Sequence, residues 1–157
     1  MEANYLLPHR FKTIGWILLI VGLIIGGVLL WFGYESNLLT VKVLSIYNED
    51  SILNETKGFF KLVDNSIVDE LAALMIIVGG LFVGFSRETI EDEFIYKLRS
   101  ESLVWAVVFN FVILIFAILF VYNFTFFHVL VFNMFTPLIF FIVRFNFLKH
   151  KSVDYEE

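Results

Sequence analysis

From Ser102 to Val143 the chain reads SLVWAVVFNFVILIFAILFVYNFTFFHVLVFNMFTPLIFFIV, 42 consecutive residues without Asp, Glu, Lys or Arg. As one α-helix this run would be about 63 Å long, twice the roughly 30 Å of a bilayer core. It must therefore fold back on itself. The polar break Tyr122-Asn123-Phe124-Thr125 suits the turn of a helical hairpin. The run predicts two spans, near 102–121 and 126–147.

Two further charge-free stretches lie upstream. Thr13 to Tyr34 has 22 residues and Leu71 to Ser86 has 16, which Ile67 and Val68 extend past Asp69 and Glu70. These predict spans near 12–34 and 66–86. The fold class expected is an all-α membrane protein with four transmembrane helices. Composition agrees: 59% of the 157 residues are hydrophobic, 17% are charged and the mean hydropathy is +0.84. Soluble domains are about 45–50% apolar and about 25% charged. A net charge of −5 and a pI of about 5.2 argue against direct nucleic-acid binding. With no cysteine, disulfides and thiolate chemistry are excluded.

The first helix follows His9, Arg10 and Lys12, as a signal peptide would. Its apolar run of about 20 residues exceeds the usual 7–15, and no A-x-A-like site follows, so it reads as a retained anchor. Eight Lys and Arg fall on one side of the four spans: Arg10, Lys12, Arg87, Lys97, Arg99, Arg144, Lys149 and Lys151. Only Lys42, Lys57 and Lys61 fall on the other. The positive-inside rule then puts both termini and the 86–102 segment in the cytoplasm of a bacterial inner membrane. Trp16, Trp31 and Trp105 fall near the expected interfaces. Residues 35–65 form an outer loop, in which Leu39, Val41 and Val43 alternate with Thr40 and Lys42 as in a strand. Asn48-Glu49-Asp50-Ser51 reads as a turn between strands.

Glycines suggest how the first two helices pack. Gly15, Gly22 and Gly26 lie on one face of the first, and Ala73, Gly80 and Gly84 on one face of the second. Small residues at this spacing let helices approach closely in lipid. Antiparallel matching pairs Gly15 with Gly84, Gly22 with Gly80 and Gly26 with Ala73; a homodimer seam is the alternative use. In the last two helices Asn110, Asn133 and Thr136 are the polar residues, suited to interhelical hydrogen bonds, a hinge or a pore lining. Pro137 predicts a kink.

The segment 86–102 carries Glu88, Glu91, Asp92 and Glu93 close together. Ile90, Phe94 and Leu98 repeat every four residues, so a helix from about Ile90 would be amphipathic and extend the third span into the cytoplasm. Thr89 and Asp92 suit a capping box, and Glu93 with Lys97 a favourable i,i+4 pair. The acidic face suits either plain solvation or docking of a basic cytoplasmic partner. Arg87, Glu91, Asp92, Glu93 and Arg99 are the docking residues expected. No catalytic, cofactor or metal constellation is visible, and His9, His128 and His150 are too scattered for haem.

Here the sequence resembles a family of small uncharacterised four-helix integral membrane proteins of Bacteroidota. The residues that carry the resemblance are Phe85-Ser86-Arg87-Glu88, Ile90-Glu91-Asp92-Glu93-Phe94-Ile95 and Leu98 through Val107, then Asn133-Met134-Phe135-Thr136 and Arg144-Phe145-Asn146. It implies a neighbouring helix-turn-helix regulator, and hence the membrane half of a signalling pair. With no catalytic constellation in the sequence, the expected role is a non-enzymatic signalling or scaffold protein. An oligomeric pore or transport module, or an accessory subunit of a larger membrane complex, is the alternative.

Overall fold

A computed structural model describes residues 6–32, 39–49 and 57–153. Its elements are α1 (Arg10–Phe32), β1 (Thr40–Glu49), β2 (Lys57–Ser66), α2 (Val68–Phe85), α3 (Glu93–Phe120), α4 (Asn123–Asn133) and α5 (Thr136–Val153). The helices α1, α2 and α3 are each long and apolar enough to cross a membrane. The pair α4 and α5, bent by 45° at a short break, passes the same test together. The chain is thus a mainly helical membrane protein.

The chain divides into two compact units. One is Met1–Val21 with Met75–Glu157, and the other is Gly22–Leu74. In the second unit the all-α expectation fails. β1 and β2 pair antiparallel, from Thr40 opposite Ser66 to Glu49 opposite Lys57. The alternation at 39–43 was the signal for a strand, but Asn48 and Glu49 are ladder residues rather than a turn. The connection, with Asp50 and Ser51, lies outside the described residues. Phe60 adopts φ 58°, a left-handed conformation uncommon for a bulky residue, and pairing is interrupted there. The hairpin hands the chain to α2 through Ile67, whose N–H donates to the Leu39 carbonyl at 3.2 Å. Asp69 and Glu70 fill the first turn of α2, where carboxylates suit the helix dipole.

In the first unit the core joins Leu19 of α1, Ile76 and Val83 of α2, Ile95, Leu98 and Ala106 of α3, and Phe141, Ile142 and Phe145 of α5. The buried face of α3 is therefore set by Ile95, Leu98, Ser102 and Ala106. Ile90 and Phe94 are 76% and 52% exposed, against the expected Ile90-Phe94-Leu98 stripe. For Ile90 the reason is where the helix starts. Asp92 is the N-cap, its carboxylate accepting from the Ile95 N–H at 2.7 Å, so α3 begins at Glu93 and not at Ile90. At its far end α3 stops at Phe120, and Asn123 enters α4 with φ 61°, which asparagine tolerates better than most residues. The expected fourth span is two helices. Pro137 is the second residue of α5, a first-turn position where its missing N–H costs nothing, and the bend falls just before it.

The glycine pairing is also different. A Cβ built on Gly15 would meet Phe82 Cβ at 2.7 Å and the Val83 nitrogen at 2.8 Å. One on Gly79 would meet the Leu19 nitrogen at 2.5 Å and the Gly15 carbonyl at 2.9 Å. The close approach of α1 and α2 thus runs through Gly15 and Gly79. Gly84 faces Phe141 and Gly80 faces Leu138, both on α5. The Gly80-to-Gly84 spacing makes room for large α5 side chains, so the expected Gly15–Gly84 and Gly22–Gly80 matches do not describe it. Gly22 is buried and Gly26 and Ala73 are half-buried.

Candidate functional site: a charge cluster where helix ends meet

Between α2 and α3 the chain runs in seven non-helical residues, Ser86 to Asp92. Backbone pairing pins its start. The Leu7 N–H donates to the Phe85 carbonyl and the Arg87 N–H to the Leu7 carbonyl, both at 2.9 Å. His9 Nδ1 lies 2.9 Å from the Arg87 carbonyl. The segment then turns Glu88 inward, leaving its side chain 2% exposed.

Burying a carboxylate is costly unless it is paired. Glu88 is paired twice. Lys12 of α1 donates to its Oε1, and Lys149 of α5 to its Oε2 at 2.7 Å. One acidic residue thereby ties together the start of α1, the α2–α3 segment and the end of α5. Beside it, Arg99 of α3 grips Glu91 with both terminal nitrogens, at 2.6 and 3.2 Å. The fork geometry of arginine suits this two-point contact. Arg99 is 3% exposed, donates to the Ser86 carbonyl at 3.3 Å, and lies 5.2 Å from the centre of the Phe145 ring. Glu91 also accepts from the Glu88 N–H at 2.8 Å. Three cations and two carboxylates so form one connected cluster.

Burial pushes the Glu88 carboxyl up. The hydrogen bonds from Lys12 and Lys149, with their charges, more than cancel this and hold it below the ordinary glutamate value of 4.5. A depressed folded value means the stabilisation is complete above 4.5 and is lost as pH falls through the folded value. To isolate Glu88 from the other carboxylates, the comparison is with Glu88→Gln. We expect the melting temperature in detergent to fall more steeply below about pH 4.5 for the native chain than for that variant. Parallel curves would show that Glu88 carries no acid sensitivity.

The expected docking residues are divided by this geometry. Arg99 and Glu91 are committed to each other and Asp92 caps α3, whereas Arg87 and Glu93 are exposed. Sequence reading placed Glu88 on a solvated acidic face. Its lysines are 76 and 61 residues away, so no local pattern marked it.

The polar residues of the later helices are spent on packing. The Asn133 amide nitrogen donates to Asn110 Oδ1 at 2.9 Å, and Thr136 Oγ1 donates to the Phe132 carbonyl at 3.1 Å across the α4–α5 break. Asn110 is eight residues along α3 from Ser102, about 12 Å into the apolar run. A double-mutant cycle with Asn110→Leu and Asn133→Leu is expected to give a coupling of about 0.6 kcal/mol, with an upper bound near 1.7. Zero coupling in detergent unfolding would mean the two amides do not share this bond. Among the described residues no group of three or more His, Cys, Asp or Glu is arranged to hold a metal.

Comparison with models of known families, with curated proteins and with solved structures finds no match to this chain.

Proposed function

We propose that this chain is a non-enzymatic, four-span scaffold of a bacterial inner membrane, with both termini cytoplasmic, and that the segment 86–102 docks a soluble cytoplasmic partner. The fourth span is the bent α4–α5 pair. The excess of Lys and Arg at one side supports the orientation. The cluster of Lys12, Glu88 and Lys149 supports it too, because it gathers the start of α1 and the end of α5.

One observation carries the docking reading. The 28 residues of α3 make a helix of about 42 Å, some 12 Å more than a bilayer core requires. Its first two turns therefore stand beyond the core, where Ile90 and Phe94 are exposed on a segment that buried ion pairs hold fixed. Around them lie Arg87, Glu93 and Lys97, all exposed. A rigid apolar pair with charged neighbours suits a partner surface that is apolar at its centre and basic opposite Glu93. A DNA-binding regulator is the partner class that the resemblance of 85–149 suggests. The pore alternative draws little support from Asn110 and Asn133, which are hydrogen-bonded to each other.

The test places a photo-crosslinking amino acid at Phe94 in the native host. The reading expects one dominant protein adduct, lost when Ile90→Asp and Glu93→Lys are combined. Adducts to lipid alone would overturn it and make Ile90 and Phe94 interfacial anchors. Orientation is tested on the naturally cysteine-free chain with Thr40→Cys and Ser100→Cys. An impermeant maleimide should label only the first from outside.

A further inference from the structure

Arg144 is a cation in an otherwise apolar stretch of α5, between Val143 and Phe145. Among the described residues no carboxylate pairs with it. Its Nε is shielded from solvent and has no hydrogen-bond partner. Its guanidinium carbon lies 5.3 Å from the centre of the Trp105 ring on α3. Around this pair the surface is apolar and open: Val143, Phe147 and Trp105 are each more than half exposed.

The depth of the pair follows from helix rise. Arg144 is five residues before Lys149 and Trp105 is six beyond Arg99, so each lies about 7–9 Å inward from the charge cluster. That is the zone between the acyl chains and the aqueous surface, where tryptophan concentrates and where an arginine extends its head toward phosphates. Arginine stays charged at any working pH. An unpaired guanidinium facing hydrocarbon is expensive, and the usual resolution is a partner anion. This chain brings no carboxylate to it, but the bilayer has phosphates at this depth. The guanidinium fork matches two phosphate oxygens, and the Trp105 face holds its plane.

We propose that Arg144 and Trp105 form a binding site for one anionic phospholipid, with the Arg144 guanidinium on the lipid phosphate and the acyl chains against Val143 and Phe147. The inference rests on the membrane-spanning reading for the depth of the site, and on the proposed orientation only for its assignment to the cytoplasmic leaflet.

The experiment is native mass spectrometry of the full chain in mild detergent, titrated with phosphatidylglycerol. One saturable lipid is expected. Arg144→Gln should raise the apparent Kd at least about tenfold, as for loss of a charged hydrogen-bonded partner. Arg144→Lys should give a smaller rise, since it keeps charge but loses the fork, and Trp105→Phe a smaller one still. Should Arg144→Gln not fold, Arg144→Lys and Trp105→Ala carry the test. An unchanged Kd in the folded variants overturns the site. Displacement of the lipid by millimolar inorganic phosphate overturns the lipid as occupant in favour of a soluble anion. A wrong orientation would leave the Kd untouched and appear only in the labelling of Ser100→Cys.

Discussion

Replacing Glu88 with alanine is expected to cost about 3–5 kcal/mol, the penalty for breaking a buried ion pair and leaving its partner charge uncompensated. Here two partners are stranded. Lys12 and Lys149 have side chains only 11% and 31% exposed, and both point at the vacated position. Their mutual repulsion adds to the loss of hydrogen bonds. Equilibrium unfolding in detergent, read against Glu88→Gln, measures it. The glutamine keeps the shape and one acceptor, so its cost should be smaller. The triple variant Lys12→Met, Glu88→Leu and Lys149→Met should recover much of the loss, because apolar groups of similar volume replace buried ion pairs at little cost. A penalty for Glu88→Ala below about 1 kcal/mol, the range of exposed ion pairs, would show that water screens the cluster.

The second large effect is expected at Gly79. Its missing Cβ faces backbone atoms of α1 at 2.5 and 2.9 Å. Side-chain rotation cannot relieve a clash with backbone, so Gly79→Ala must push α1 and α2 apart. Overpacking of this kind costs about 1–3 kcal/mol. Gly80→Ala meets the Leu138 side chain at 2.5 Å, which can turn aside, and should cost less. Gly27 has nothing within 4 Å of a built Cβ, so Gly27→Ala should be neutral or gain up to about 1 kcal/mol of helix propensity. The expected order of melting temperatures is Gly27→Ala, Gly80→Ala, Gly79→Ala, from highest to lowest. Equal values for the first and last would remove the close contact.

What the sequence made legible and what it hid divide along physical lines. Apolar stretches are read from solvent preference, a property of each residue, and the helices lie close to where hydropathy put them. Pro137 is equally local: a missing donor ends or begins a helix wherever it falls, and the break lies at Met134 and Phe135. The β-hairpin was half legible, since alternation at 39–43 marked β1 while the Asn48 and Glu49 turn signal misled. The glycine faces were not legible. Gly79 and Gly80 are adjacent on α2 yet serve different neighbours, α1 and α5, and spacing alone cannot assign them. The start of α3 turned on two residues, Thr89 and Asp92, both of types that cap helices. The charge cluster was the least legible part. The acidic run 88–93 looks uniform, yet Glu88 is buried, Asp92 caps and Glu93 is exposed. Remote lysines single out Glu88, and the nearby Ile95 N–H singles out Asp92.

The spacing of the cluster along the chain also sets an order of assembly. Glu88 is made 76 residues after Lys12, and Lys149 a further 61 later. At synthesis rates of about 5–20 residues per second, Lys12 waits about 4–15 s for its first counter-charge. Glu88 then waits again for the second lysine, which arrives only when the last helix has returned to the side where the first began. The second ion pair therefore acts as a completion seal: Lys12 and Glu88 can meet early, but both Glu88 oxygens are paired only once α5 has been made.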